Sequence, residues 1–283
     1  MEKRELVTMA AWLLLSSAAG CMPPSWGAAA LLHPSRRLVE QQPKGPFDRV
    51  ELSGDGVVLK GWWFHGAGPK KGTIVYLHGV GDNRGSSIGI ASHFVPRGFD
   101  VIAYDSRAHG ESQGDACTYG YYEKRDLSRV LDKVEGKPII LLGSSLGAAV
   151  ALQAAAADRR VGAVVAIAAF SDLRTAANER APFFASKGNV NEALRIAEDT
   201  AHFRVDEASP VAAAGRINVP TMLIHGDHDV ETPSAHSLRI FAALHEPKRL
   251  VLVPNRGHRD SLTPEVWRDI DGWLDGLVAT GAR

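Results

Sequence analysis

One serine stands in a local pattern that suits a nucleophile. The aliphatic run at residues 139–142 shows no alternation and therefore predicts a strand buried on both faces. The motif Gly143-x-Ser145-x-Gly147 follows directly, and an alanine-rich segment of high helix propensity comes next. A strand, this motif and a helix in that order predict a nucleophile elbow, a sharp turn that exposes the serine hydroxyl. A glycine-rich loop that contains a serine by chance is the alternative interpretation.

The same turn would place Ser145 at the N-terminus of a helix. Free backbone N–H groups at such a position favour the negative charge of a tetrahedral intermediate. The glycines two residues to either side leave room where strand and helix approach each other. The local sequence therefore favours nucleophilic catalysis by Ser145.

The rest of the chain predicts the framework that would hold this turn. From Phe47 onward, short apolar segments alternate with helical ones, which predicts βαβ units and a mostly parallel sheet with helices on both faces. A β-hairpin with Asp-Gly in its loop comes first. The predicted strands are 50–52, 57–64, 73–77, 101–104, 139–142, 161–167, 221–225 and 250–254. The predicted helices outside the interval 168–219 are 86–96, 121–134, 148–157, 234–244 and 264–278.

The interval 168–219 interrupts this alternation. It contains short helical stretches, the clearest at 191–202, and the aromatic pair Phe183-Phe184. It lies between consecutive strands of a parallel sheet, where connecting loops emerge at the carboxyl edge that binds ligands. We therefore expect a small helical cap over the edge that carries Ser145. Helices that only pack against the sheet are the alternative.

Further motifs follow the predicted strands in a fixed order. They are His78-Gly79 after the third strand, Asp105-x-Arg107-x-His109-Gly110-x-Ser112 after the fourth, Gly226-x-x-Asp229 with Pro233 after the seventh, and Gly257-His258 after the eighth. Together with the elbow, this set resembles the α/β-hydrolase superfamily from Phe47 to the C-terminus. The segment Thr118-Tyr119-Gly120-Tyr121-Tyr122-Glu123 is similar to a bacterial subgroup of serine-aminopeptidase-like and monoacylglycerol-lipase-like hydrolases. The resemblance implies the α/β-hydrolase fold and a serine hydrolase.

The resemblance also implies a catalytic triad in the order Ser145, Asp229, His258. A serine hydroxyl is a weak nucleophile that needs a base within hydrogen-bond reach, and a histidine can take its proton and return it. Asp229 would hold the imidazole in the required tautomer and stabilise the imidazolium. The backbone N–H groups of Leu146 and Val80 would form the oxyanion hole.

Neighbouring residues offer rival assignments. Ser144 adjoins the proposed nucleophile but lies off the centre of the motif. His225, Asp227 and His228 stand beside Asp229 in the sequence, so this cluster could imitate a metal site. His225 ends a strand and the others are loop residues, and we therefore expect no metal and no cofactor.

Composition limits the classes of function. The chain has 283 residues, of which 45% are hydrophobic, enough to build the core of one large α/β domain or of two small ones. Lys+Arg and Asp+Glu both number 32, so the formal net charge is zero and gives no footprint for nucleic acid. The cysteines, Cys21 and Cys117, form no disulfide framework if Cys21 has another use, and they cannot make a cysteine-based metal site.

The N-terminal residues predict export. Residues 1–20 begin with a basic pair and carry no charge from Leu6 to Ala19, which fits a signal-peptide core and is short for a membrane-spanning helix. Small residues then precede Cys21, as in the lipobox of bacterial lipoproteins, with Ala18 where leucine is usual. We therefore expect a lipid on Cys21, attachment to a membrane in the periplasm or at the cell surface, and a tether over residues 21–45. A secreted protein cut nearby is the alternative.

These expectations predict a hydrolase domain at residues 46–283 that cleaves a small-molecule carboxylic ester through an acyl-enzyme intermediate. The phenylalanines of the predicted cap favour an apolar acyl group of short to medium length. A peptidase or thioesterase of the same fold, and a catalytically silent membrane-tethered binding protein, are the alternatives, because a fold does not by itself define a function.

Overall fold

The computed structural model describes residues 23–136 and 138–279. The strands of this part are β1 Asp48–Gly54, β2 Val57–Phe64, β3 Gly72–Leu77, β4 Phe99–Tyr104, β5 Ile139–Ser144, β6 Val161–Ile167, β7 Thr221–Gly226 and β8 Lys248–Val253. They form one sheet in the order β1-β2-β4-β3-β5-β6-β7-β8. β2 is antiparallel to both of its neighbours, and β3 to β8 run parallel.

Helices cover both faces of this sheet. They are α1 Pro24–Leu32, α2 Ser87–Phe94, α3 Glu123–Leu131, α4 Leu146–Ala155, α5 Leu173–Arg180, α6 Lys187–Ala201, α7 Pro210–Ala214, α8 Ala235–Ala243 and α9 Pro264–Ala279. One face packs against α3, α4 and α8, and the other against α2 and α9. Strands β5, β6 and β7 are buried along nearly their whole length, as unbroken apolar runs require. The predicted mostly parallel sheet with helices on both faces is confirmed.

The turn between β5 and α4 requires glycine on both sides of Ser145. A Cβ atom on Gly147 would overlap the carbonyl oxygen of Leu77 in β3, and one on Gly143 would overlap the backbone of Gly147. The chain therefore passes from strand to helix at a separation that no side chain allows.

Gly147→Ala is expected to lower the free energy of unfolding by at least about 2 kcal/mol, because backbone atoms must move to accept the methyl group. Gly272→Ala is the matched control, since a Cβ at this position in α9 meets no atom within 4 Å. It should stabilise the protein by up to about 1 kcal/mol through helix propensity. Urea unfolding of both variants measures the difference, and equal midpoints would contradict the close approach.

The interval between β6 and β7 contains the helices α5, α6 and α7. The helix α7 packs against α4 and α8 on one face of the sheet. A third cluster of buried apolar residues joins α5 and α6, which form the predicted cap, to α1 and to the start of the sheet helix α4. Its members include Leu32, Ala149, Phe170, Leu194 and Phe203. The helices α1 and α6 approach closely, because a Cβ on Gly27 would lie 3.1 Å from the Cβ of Ala193.

The structure has the helix α1 within residues 21–45, where the sequence predicts a tether. Pro24 occupies its first turn, where the missing N–H has no cost, and Ala28 and Leu32 are buried. The segment after α1 is also bound to the domain, since Nη1 of Arg36 donates to the carbonyl oxygen of Ser112 at 2.7 Å. From residue 23 onward this part of the chain therefore folds with the domain. The predicted signal segment 1–20 and Cys21 lie outside the described residues.

No helix within the described ranges is long and apolar enough to cross a membrane.

Candidate active site

Ser145 sits at the apex of the turn between β5 and α4. Its φ of 50° and ψ of −111° form a backbone conformation that non-glycine residues rarely adopt. The backbone N–H of Ser145 donates to the carbonyl oxygen of Ile167 at 2.8 Å, which ties the apex to the end of β6. The side chain therefore projects from a fixed position at the carboxyl edge of the sheet, as the elbow motif predicts.

Three predicted site residues meet in one chain of hydrogen bonds. The hydroxyl of Ser145 lies 3.0 Å from Nε2 of His258, which belongs to the loop after β8. Nδ1 of His258 donates to Oδ2 of Asp229, in the loop after β7, at 2.7 Å. The geometry therefore joins a hydroxyl, an imidazole and a carboxylate in the order that transfers a proton from serine to histidine.

The Asp229 carboxylate is buried but well supplied with donors. Its Oδ1 accepts the backbone N–H groups of Glu231 at 2.9 Å and Thr232 at 2.8 Å. Burial by itself raises the pKa of this carboxyl, but hydrogen bonds from His225 and His258 and from the backbone outweigh it. The pKa of Asp229 therefore lies well below its usual value, and the group stays ionised beside the imidazole.

His225 is a site residue that the sequence analysis did not assign. It is fully buried at the end of β7, and its Nε2 lies 3.1 Å from Oδ2 of Asp229 and 2.7 Å from the carbonyl oxygen of Thr232. Both neighbours are acceptors, so Nε2 carries the proton, while Nδ1 lies 2.6 Å from the hydroxyl of Ser237. His225 thus binds the same carboxylate oxygen as His258 and fixes its direction.

The sequence cluster of His225, Asp227, His228 and Asp229 does not form one group of side chains in the structure. His225 and Asp229 point into the hydrogen-bonded chain, whereas the exposed His228 binds Asp227 at 2.6 Å. Among the described residues, no three histidine, cysteine, aspartate or glutamate side chains are arranged so that they could hold a metal ion.

The two predicted oxyanion donors belong to elements that meet at Ser145. Leu146 is the first residue of α4, and Val80 follows β3; both line the same cavity as the serine. The loop after β3 passes close to it, since a Cβ on Gly79 would lie 3.6 Å from the Cβ of Ser145. Nε2 of the buried His78 accepts the backbone N–H of Ser106 at 3.0 Å and thereby braces this loop.

A second serine–histidine pair lies under the cap. The hydroxyl of Ser171 is 2.8 Å from Nδ1 of His236, whose Nε2 donates to Glu179 at 2.7 Å. However, Nδ1 also accepts the backbone N–H of Ser171 at 2.9 Å, and the hydroxyl donates to Asp172 at 2.8 Å. Ser171 and His236 are almost fully buried and do not line the cavity at Ser145. This group joins the start of α8 to the cap and offers no exposed nucleophile.

A cavity of about 370 Å³ leads to Ser145. Its walls come from α1, the loop after β3, and the cap helices α5 and α6. The larger apolar side chains in these walls are Trp26, Leu31, Phe170, Leu173, Phe184 and Leu194. The charged Arg180 also lines it, but its guanidinium donates to the carbonyl oxygen of Glu231 at 2.9 Å and to Thr232 at 2.6 Å. The volume and the apolar walls suit a small organic group.

A sequence model of the family with the α/β-hydrolase fold matches residues 72–213, half of the chain. The chain belongs to the α/β-hydrolase family. The match begins at β3 and therefore includes the loop that carries Val80, the whole of the elbow and most of the cap. The predicted resemblance to this superfamily is confirmed, and the narrower bacterial subgroup remains a prediction.

Other proteins resemble this chain in sequence or in fold. The Bacillus subtilis protein YqkD is 31% identical over 204 residues, which span 68% of this chain and 66% of YqkD. The Pyrococcus furiosus esterase Pf2001 superposes with a TM-score of 0.69 at 21% identity, covering 86% of this chain and 97% of its own. An acetyl xylan esterase from Paenibacillus sp. R4 gives 0.66 at 21% identity, covering 88% and 92%. At these identities the two structural comparisons establish the fold.

Proposed function

We propose that this α/β hydrolase cleaves a carboxylic ester through an acyl-enzyme intermediate. The observation that carries the proposal is the chain of hydrogen bonds from Ser145 through His258 to Asp229, which opens on an apolar cavity. Two proteins of the same fold are named as esterases. A thioesterase or peptidase would use the same three side chains, and the walls of the cavity support an acyl group over a charged peptide terminus.

In the first half-reaction, Oγ of Ser145 attacks the ester carbonyl carbon while Nε2 of His258 takes the hydroxyl proton. The carbonyl oxygen becomes an oxyanion and accepts hydrogen bonds from the backbone N–H groups of Leu146 and Val80. His258 then gives its proton to the departing alkoxide, and an alcohol leaves. In the second half-reaction His258 takes a proton from a water that attacks the acyl carbonyl carbon, and it returns this proton to Oγ of Ser145 as the bond to the acyl group breaks and the carboxylic acid leaves. Asp229 stays ionised throughout and stabilises the imidazolium.

The apolar walls favour an acyl group over a charged peptide terminus. The positive charge among the described wall residues is Arg180, whose guanidinium is held by the loop after β7. None of the described residues that line the cavity is acidic, so these walls offer no carboxylate to receive an amine. A carboxylic ester with a short to medium acyl chain is therefore the substrate class that the walls fit best.

Assays on p-nitrophenyl esters from acetate to dodecanoate test this assignment. We expect kcat/KM to rise with the length of the acyl chain up to a medium chain and then to fall, because a longer acyl chain no longer fits into a cavity of about 370 Å³. The chelator EDTA should leave the rates unchanged. Turnover restricted to aminoacyl amides, or loss of activity on chelation, would contradict the proposed function.

We also propose that the protein is held at a membrane by a lipid on Cys21, as the small residues before this cysteine suggest. Cys21→Ala is expected to move the protein from the membrane fraction to the soluble fraction, because acyl chains on this residue would supply the attachment. Fractionation of cells followed by immunoblotting measures the shift. An unmodified mature N-terminus downstream of Cys21, detected by mass spectrometry, would reject the lipid.

A further inference from the structure

The mouth of the cavity carries exposed aromatic side chains. In the described part of the chain, the large aromatic residues that are exposed are Trp26 at 58%, Phe183 at 100% and Phe184 at 57%. Trp26 and Phe184 line the cavity, and the ring of Phe183 lies 5.4 Å from that of Phe184 in an edge contact. These three residues therefore surround one opening, which we call the aromatic mouth.

The apolar surface continues to the loop that holds Asp229. Val230, the residue after Asp229, is 91% exposed. Its neighbour Glu231 is bound through its carbonyl oxygen to Arg180, a wall residue of the cavity. The loop that carries Val230 is thus held beside a wall residue of the cavity, and we call the aromatic mouth together with Val230 the rim. Exposed apolar side chains grouped on one side of a protein mark an interaction surface.

The residues that precede Pro23 in the sequence indicate which surface the rim contacts. Pro23 and Pro24 line the cavity, and Cys21 is only two residues before Pro23. Two residues of extended chain span at most about 7 Å. The uncharged stretch from Leu6 to Ala19 comes immediately before. If a lipid is attached to Cys21, the rim begins within about 7 Å of the attached residue, and it begins within about 14 Å of the end of the apolar stretch at Ala19.

We infer that the aromatic mouth docks into the interface of a lipid bilayer, with the cavity opening toward the lipid. Tryptophan and phenylalanine are the side chains that interfacial surfaces use, because part of each ring leaves water while the backbone remains at the headgroups. The acyl chain of a membrane-dissolved ester then reaches Ser145 without crossing water. The statement about substrate access rests on the proposed hydrolase function, and the docking rests on the proposed attachment near Cys21.

Quenching by brominated lipid tests the docking. The full-length protein is reconstituted in vesicles of phosphatidylcholine and phosphatidylglycerol, with and without bromine on the acyl chains. We expect bromine to quench the tryptophan fluorescence and Trp26→Phe to remove a distinct part of that quenching. Equal quenching in the wild type and in Trp26→Phe would overturn the inference, because Trp26 would then lie outside the bilayer. Conversion of a dimer to a monomer by Phe183→Ser, without quenching of Trp26, would assign the mouth to a second copy and also overturn it.

A comparison of two substrates tests the access route. Contrary to the expectation that all phenylalanines of the cap contact the acyl group, Phe183 does not line the cavity. Phe183→Ser should therefore leave the hydrolysis of water-soluble p-nitrophenyl butyrate unchanged. Hydrolysis of a coumarin octanoate ester dissolved in the vesicles should fall about tenfold, since one buried phenylalanine ring is lost from the contact with lipid. Leu252→Ser, on the exposed edge strand β8, is the matched control and should change neither rate. Equal effects of Phe183→Ser on both substrates would overturn the access route. A wild type that hydrolyses neither ester would refute the proposed function, while the quenching result would stand.

Discussion

Ser145→Ala is expected to lower kcat on the preferred ester by at least about 10⁴-fold while the protein stays folded. The variant loses the atom that attacks the carbonyl, and water must react without the acyl-enzyme. Folding should persist because the backbone N–H that binds Ile167 is retained and alanine meets the same strain at a φ of 50° as serine does. Ester assays, labelling by a fluorophosphonate probe and thermal unfolding measure the three properties separately.

Two other serines provide matched controls for this experiment. Ser144→Ala and Ser171→Ala should each keep kcat within about threefold of the wild type, because neither side chain lines the cavity. Ser171 is the sharper control, since it has its own histidine and carboxylate partners in His236 and Glu179. If Ser171→Ala were inactive and unlabelled while Ser145→Ala retained activity, the nucleophile would be Ser171 and the proposed mechanism would be wrong.

The sheet and the elbow could be predicted because their signals are local. An unbroken apolar run such as β5 predicts a buried strand, and the two glycines beside Ser145 mark a turn that only one backbone path satisfies. The positions of His258 and Asp229 came from motif order, and in the structure His258 contacts Ser145 while Asp229 contacts His258.

The helix α1 and the role of His225 could not be read from local sequence. Proline, glycine and alanine near Gly27 resemble a linker, and the segment becomes a helix because Ala28 and Leu32 bury against the cap. His225 looks like the last residue of a strand, and its function depends on contacts with the loop after β7 and with Ser237 in α8. Both features depend on tertiary packing, which outweighs composition.

Asp229→Asn is expected to lower kcat by about 10⁴-fold, through the tautomer of His258. An amide has one acceptor oxygen where the carboxylate has two. If that oxygen faces the backbone N–H groups of Glu231 and Thr232, the amide NH₂ points at His258. Nδ1 of the imidazole must then accept, so Nε2 carries the proton and cannot take another from Ser145.

The opposite orientation of the introduced amide also disrupts the hydrogen bonds of the site. If the amide oxygen faces His258, the amide NH₂ faces the backbone N–H groups of Glu231 and Thr232. The NH₂ and both N–H groups are donors, so all of them would lack an acceptor in a buried site. His225 would also compete with His258 for the single remaining oxygen. Stability should therefore fall along with kcat, and thermal unfolding at several pH values would report it.

Asp227→Asn separates this mechanism from a general loss of acidic charge in the loop after β7. Asp227 lies two residues from Asp229, but its carboxylate accepts from the exposed His228 at 2.6 Å and from the backbone N–H of Asn255 at 2.7 Å. It has no hydrogen bond to Ser145 or His258 within the described contacts, so kcat should stay within about threefold of the wild type. Steady-state kinetics on one ester compares the two variants directly. If Asp227→Asn were inactive and Asp229→Asn active, a carboxylate other than Asp229 would orient the imidazole of His258. The reason is that only the carboxylate that accepts from Nδ1–H can hold the tautomer in which Nε2 is free to take the proton of Ser145.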